Sequence, residues 1–193
     1  SIDPIGCLDI DDALHFKNNN SIIEVGIHIA NVSKFVKNIN TNMFSTIYLN
    51  DTQINMLSND HTFNICSLGN GEKKYSLSLI LTYKNFKLES FKFSESVISN
   101  TALSYQDVDL ISENYNNLSQ FKKKIYELFK FTKKIKNVNT LTATSMVEYY
   151  MLLYNSIAAK VLYEYNQYTI LRTHKKNKSN IDLSLIHISE PTR

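Results

Sequence analysis

A change of hydrophobic period part-way along the chain limits the fold more than any other feature. Apolar residues first recur at every second position, as Ile23, Val25, Ile27 and Ile29 within 22–32. The same alternation sets Tyr75, Leu77, Leu79, Leu81 and Tyr83 against Ser76, Ser78, Ile80 and Thr82. Period two puts one row on the covered face of a strand and the other row on the opposite face. Asn85 is expected to turn the chain into a partner strand over 86–99, while Asn18–Ser21 and Gly69-Asn70-Gly71 are polar turns and 46–57 holds shorter apolar pieces. From Leu118 onward the spacing becomes three and four. Leu118, Phe121, Ile125, Leu128, Phe129 and Ile135 predict one amphipathic helix, and Met146, Tyr150, Leu153, Ile157 and Val161 predict a second over about 146–165. Strands followed by helices imply an α+β (mixed α/β) fold, a twisted sheet with helices packed over it.

Composition narrows the class. The 193 residues are 43% hydrophobic and 20% charged, which suits an ordinary globular core better than a disordered chain. No apolar run approaches the roughly 20 residues of a spanning helix, and no basic stretch followed by an apolar one opens the chain, so an intracellular protein without a membrane partner is expected. Cys7 and Cys66 are too few for a disulfide framework, and their spacing to His15, His28 and His61 fits no common zinc pattern. The net charge of +3 conceals an asymmetry, with acids near the start and Lys122, Lys123, Lys124, Lys130, Lys133, Lys134 and Lys136 crowded later. Such lysines either follow phosphates or form the solvated face of a helix; the second is the expectation. Residues 183–193, LSLIHISEPTR, read like a translated sequencing-library adapter, so 177–193 is set aside as a tail and 1–176 is taken as one domain.

The chemistry sits at the start. Asp3, Asp9, Asp11 and Asp12 fall within ten residues, interleaved with Ile2, Ile5, Leu8, Ile10, Ala13 and Leu14. Half-burying four carboxylates without cations costs several kcal/mol, about what forces either protonation or a bound metal. All-oxygen ligation favours Mg²⁺, with Mn²⁺ as the alternative, over zinc, and no EF-hand pattern is present. Two such ions would suit phosphodiester hydrolysis. The competing reading is a set of turn or helix-capping aspartates.

Several ordered motifs add to this. SIDPIGCLDIDDALHF at 1–16 and EVGIHIANVSKFV at 24–36 resemble the signature of the RNase II (RNB) exoribonuclease family. STIYLNDTQINMLS at 45–58, NICSLGNGEKKYSLSL at 64–79, SMVEYYMLLYNSIAAKVL at 145–162 and ILRTHKK at 170–176 continue the likeness, closest to the catalytic ribonuclease subunit of the eukaryotic RNA exosome. The resemblance implies that Asp3, Asp9, Asp11 and Asp12 hold two magnesium ions, with Asp11 the most critical to the chemical step. It implies hydrolysis of single-stranded RNA from its 3′ end, releasing 5′-nucleoside monophosphates, in RNA processing and decay. Exosome core subunits would be partners and the nucleus or cytoplasm the setting if the source is eukaryotic.

Further positions follow from the same likeness. Tyr48 matches a tyrosine that stacks on the 3′-terminal base, against the plain reading of a core aromatic in a chain with 12 tyrosines. Tyr105 and Glu148 match positions near the ribose, where a 2′-hydroxyl contact separates RNA from DNA. Glu148 also completes a capping box with Ser145, and the two readings stand together. His15 and His28 are expected to be structural. The chain departs from the family at Asn31, Met43 and Phe44, is short over 136–144, and lacks the later arginine motif, the cold-shock and S1 domains and the PIN domain. A truncated piece of a catalytic domain is therefore expected, with a catalytically incompetent RNA-binding fragment as the alternative.

Overall fold

A computed structural model describes residues 1–19, 21–36, 43–49, 52–113 and 118–166. The 170–176 motif and the adapter-like tail lie outside these residues. Its strands are β1 (Ile2–Asp3), β2 (Asp12–Asn19), β3 (Ile22–Ala30), β4 (Ile47–Tyr48), β5 (Gln53–Ile54), β6 (Lys73–Lys84), β7 (Lys87–Ser99) and β8 (Leu103–Ser104). The α-helices are α1 (Tyr105–Glu113), α2 (Gln120–Ile135) and α3 (Ala143–Tyr165). A short 3₁₀ turn at Val32–Lys34 and a π-helical segment at Asp60–Cys66 complete the described elements. The fold is mixed α+β, and among the described residues no helix is long and apolar enough to cross a membrane.

The long strands form one antiparallel sheet in the order β2-β3-β6-β7. A two-residue turn joins β6 to β7 through Asn85 and Phe86, whose φ angles are +50° and +63°. Two successive left-handed residues match the twist of the strands they connect. Phenylalanine seldom takes that conformation, but here its ring stacks at 6.0 Å on Phe131 and carries the Lys134 ammonium at 3.5 Å from its centroid.

One face of the sheet receives all three helices. Val25, Ile27, Leu79, Leu81 and Tyr83 from the strands pack with Val108, Leu128, Phe129, Phe131, Met146, Tyr150 and Ile157 from the helices. Thr132 is buried in this core yet satisfied, because its hydroxyl bonds the Leu128 carbonyl and the Tyr150 hydroxyl, each at 2.8 Å.

The alternation of β6 holds for only half its length. Leu79, Leu81 and Tyr83 are buried as expected, but Tyr75 and Leu77 remain 42% and 39% exposed, while Ser76 and Ser78 are sealed at 0% and 1%. The helix core takes in the Leu79–Tyr83 end, whereas Tyr75 packs instead against Phe35, at 5.8 Å, and under Lys34. On the opposite face Ile10, Ala13, Ala30 and Leu68 form a second small apolar cluster. The buried serines meet their needs with one another: Ser76 and Ser78 both bond Ser96, at 2.8 and 2.5 Å.

One helix and one helix boundary differ from expectation. Helix α1 is absent from the periodic pattern, since nine residues offer only Val108 and Ile111 as buried apolar side chains. Helix α3 starts three residues before 146, capped by a Thr142–Ser145 box rather than by Ser145 and Glu148.

Candidate active site

Asp3 ends β1, and its parallel pairing with β8 sets Asp3 opposite Ser104. Tyr105, the next residue, opens α1 beside the acids. The loop from Pro4 to Asp11 then turns tightly: Cys7 N–H donates to the Pro4 carbonyl at 3.1 Å, with Gly6 at φ +83° supplying a conformation that a side chain would disfavour. Ser67 stitches the loop to the segment after the π-helical turn, donating to the Leu8 carbonyl at 2.8 Å and accepting from Ile10 N–H at 3.0 Å. Leu68 N–H bonds the Ile10 carbonyl and Ala30 N–H bonds the Asp11 carbonyl, both at 2.8 Å. Asn100, also buried, donates to the Leu68 carbonyl at 2.7 Å and to the Ser1 hydroxyl at 3.0 Å. Ser67 and Asn100 thus fix the backbone carrying the acids, and sequence reasoning missed both, because their bonds reach main-chain groups 32 to 59 residues away.

The apolar neighbours of the aspartates divide. Ile2, Ile10 and Ala13 are buried, whereas Ile5 and Leu8 stand exposed on the loop. Apolar company therefore anchors the two ends of the acid segment and not its middle.

Burial and neighbouring acids raise three of these carboxylates. Burial, then the charges of Asp3 and Asp11, push Asp12 up to about 6. Crowding by protein atoms, followed by the fields of Asp9 and Asp3, raises Asp11, although its side chain keeps an open edge to solvent, and burial raises Asp9. Tyr105 is raised by burial first and then by Asp3 and Asp12, which places its hydroxyl within their field. Among the described residues no lysine or arginine forms an ion pair with any of the four acids. One oxygen of Asp3, Oδ2, is buried without any hydrogen-bond partner. An orphaned carboxylate oxygen among crowded like charges is what a hard cation would relieve, and the donors are all oxygen. In charge and donor type the residues fit Mg²⁺. As they stand, no three of the described His, Cys, Asp or Glu side chains converge closely enough to hold an ion.

The structure therefore gathers Asp3, Asp9, Asp11, Asp12 and Tyr105, and leaves two expected residues apart. Tyr48 sits on the small β4–β5 hairpin, 73% exposed, so it is no core aromatic. Glu148 is exposed on α3, and the cap formed by Thr142 and Ser145 frees it from the capping role. Among the described residues neither shares a hydrogen bond or ion pair with the aspartates. The lysines of α2 lie mainly on its exposed side, the solvated face expected of them.

The RNB domain family matches residues 1–142. The chain belongs to the RNB family. Human exosome complex exonuclease RRP44 is 31% identical over 215 residues, an alignment covering 90% of this chain and 22% of that protein. This RNB chain thus spans about a fifth of the length of the curated relatives it matches. Among solved structures it is similar to Mycoplasma genitalium RNase R in complex with ribose-methylated single-stranded RNA, with a TM-score of 0.72 at 20% identity over 86% of this chain and 32% of that one. It is also similar to yeast Ssd1, described as a pseudonuclease, with a TM-score of 0.68 at 17% identity over 85% of this chain and 24% of that one. At these identities the two structural likenesses bear on the fold alone.

Proposed function

We propose that this RNB chain is part of the catalytic domain of a Mg²⁺-dependent hydrolytic exoribonuclease that trims single-stranded RNA from its 3′ end and releases 5′-nucleoside monophosphates. One observation carries the reading: the aspartates of this RNB segment lie within one another's electrostatic reach, burial and neighbouring acids raise Asp11 and Asp12, and no lysine or arginine among the described residues pairs with any of the four. Asp3, Asp9, Asp11 and Asp12 would hold two Mg²⁺ ions, which supply Lewis acidity for water attack on phosphorus and charge for the departing oxygen. Asp11, with its open edge, is the carboxylate best placed to face a phosphodiester. Tyr105 would receive the ribose, its phenolic proton retained by burial and by the acids around it. Tyr48, exposed on its hairpin, offers a ring on which any terminal base can stack. The human relative named as an exosome exonuclease supports RNA decay in an exosome as the setting, with core subunits as partners, in nucleus or cytoplasm.

The test is degradation of 3′-labelled and 5′-labelled single-stranded RNA by the full-length protein with Mg²⁺ and with EDTA. Mononucleotide release from the 3′ end that stops in EDTA and in Asp11→Asn, with RNA affinity retained, is the expected result. Turnover unchanged in Asp11→Asn would refute the role given to the acid cluster. The second reading, RNA binding without cleavage, is favoured by the open spacing of the acids; binding with no cleavage in either condition would establish it.

A further inference from the structure

One hydroxyl holds the acid loop on both sides of Asp9. Ser67 Oγ donates to the Leu8 carbonyl at 2.8 Å and accepts from Ile10 N–H at 3.0 Å, so the main chain before and after that aspartate meets a single atom. Such a bridge needs an atom that both donates and accepts, which a hydroxyl does well, a thiol weakly and a methyl not at all. Ser67 is only 2% exposed, so water does not share these bonds.

The serine is itself firmly seated. It follows the π-helical segment Asp60–Cys66, whose Asn64 carbonyl accepts from the Lys74 ammonium on β6. The next residue, Leu68, donates its N–H to the Ile10 carbonyl at 2.8 Å and buries its side chain with Ile10, Ala13 and Ala30. Asn100 holds the Leu68 carbonyl at 2.7 Å. Both main-chain groups of Ile10 are therefore bound to residues 67 and 68, and Ala30 N–H binds the Asp11 carbonyl at 2.8 Å.

These tethers work against a repulsion. Asp9 and Asp11 flank the buried Ile10, Asp11 stands in the fields of Asp9 and Asp3, and no lysine or arginine among the described residues pairs with them. Residues 4–11 have no strand or helix of their own with which to resist it. Their bonds to residues 30, 67 and 68 supply the resistance. Ligands ordered before an ion arrives need not be ordered at the moment of binding, and affinity gains by the difference.

We propose that Ser67 is a positioning residue for the acid centre: its hydroxyl fixes the main chain around Asp9, so that the closing of Asp9 and Asp11 on a hard divalent ion is left to side-chain rotation. Ser67 touches neither ion nor RNA and acts only through the main chain. The inference rests on the reading of the four aspartates as a Mg²⁺ centre, and the experiment separates the two.

Binding of Mn²⁺ to the full-length protein is measured without RNA, from the electron paramagnetic resonance signal of the free ion, in wild type, Asp11→Asn, Ser67→Ala and Ser76→Ala. Ser76 is a second buried serine, bonded to Ser96 and Ser78 and not to the acid loop, so its loss reports general softening. Binding that disappears in Asp11→Asn should be about ten-fold weaker in Ser67→Ala and unaltered in Ser76→Ala. Hydrogen exchange over residues 8–11 should quicken in Ser67→Ala while residues 79–83 stay as slow as in wild type. Ser67→Cys carries the test if Ser67→Ala does not fold, because a thiol of similar size is a weak partner for both main-chain groups. Identical binding in wild type and Asp11→Asn overturns the Mg²⁺ reading and this inference with it. Binding that is lost in Asp11→Asn but unaltered in Ser67→Ala, or weakened equally in Ser67→Ala and Ser76→Ala, overturns the inference alone.

Discussion

Asp12 and His28 titrate in opposite senses across one window of pH. The folded value for Asp12, about 6, lies above its ordinary 3.8, so its contribution is most favourable below the ordinary value and is lost as pH rises towards 6. For His28, about 4 against an ordinary 6.5, the contribution is full above 6.5 and is lost as pH falls towards 4. In EDTA the two slopes oppose each other, and the contributions of these two groups should nearly cancel between about pH 4 and 6. Asp12→Asn should expose a loss on acidification of up to about 3 kcal/mol, and His28→Ala a loss of similar size on raising the pH. Urea unfolding at the two ends of the window reads both, and slopes of the wrong sign would remove the assigned causes. Saturating Mg²⁺ should cancel the loss on raising the pH in His28→Ala, because a cation replaces the proton on the acids. At this scale Asp3, Asp9, Asp11 and Asp12 stand out in the sequence by type and spacing, and the family likeness singled out Tyr105. Ser67 and Asn100 were invisible, because nothing local distinguishes a serine or asparagine that serves main-chain groups far along the chain.

Elements were legible where they are long. The twelve-residue β6 and sixteen-residue α2 carry enough apolar repeats to declare their period, whereas α1 has nine residues and two buried apolar side chains. Its signal was the cap. Ser104 Oγ accepts from Asp107 N–H at 3.1 Å and donates to Asp107 Oδ2 at 2.7 Å, while Ser104 N–H reaches the same oxygen at 3.0 Å. Asp109 of the same helix accepts from Ala143 N–H at 2.7 Å and so holds the first turn of α3. Ser104→Ala should therefore cost about 1 kcal/mol, a fall in melting temperature of about 2–4 °C for a chain of this size. Thermal denaturation followed by circular dichroism checks this; an unchanged midpoint would mean that the cap does not secure α1. The period of β6 misled at its first half because alternation reports which row is apolar and not which row has a neighbour. Cover by the second apolar cluster and by Ser96 reverses the expected faces there.

For the molecule as a whole, strands followed by helices correctly gave a sheet with helices on one face. The contents of the other face were not readable, since a row of serines and histidines looks solvated until something crosses it. The helix-facing core should dominate stability: Ile157→Ala, at a side chain 1% exposed, should lose about 2–5 kcal/mol in urea unfolding. Ile22→Ala, at the exposed end of β3, should stay within about 0.5 kcal/mol, and comparable losses at both would mean that the core is not seated as described. The short parallel ladder between Ile2–Asp3 and Leu103–Ser104 has a kinetic consequence. It closes a loop of about a hundred residues, a contact whose entropic cost must be met before it returns any stabilisation. A nascent chain can form the β2–β3 hairpin early, but Asp3 and Tyr105 cannot meet until the ribosome has released both ends of that loop. The two ends of the acid segment's setting therefore come together only after the whole four-stranded sheet between them has been synthesised.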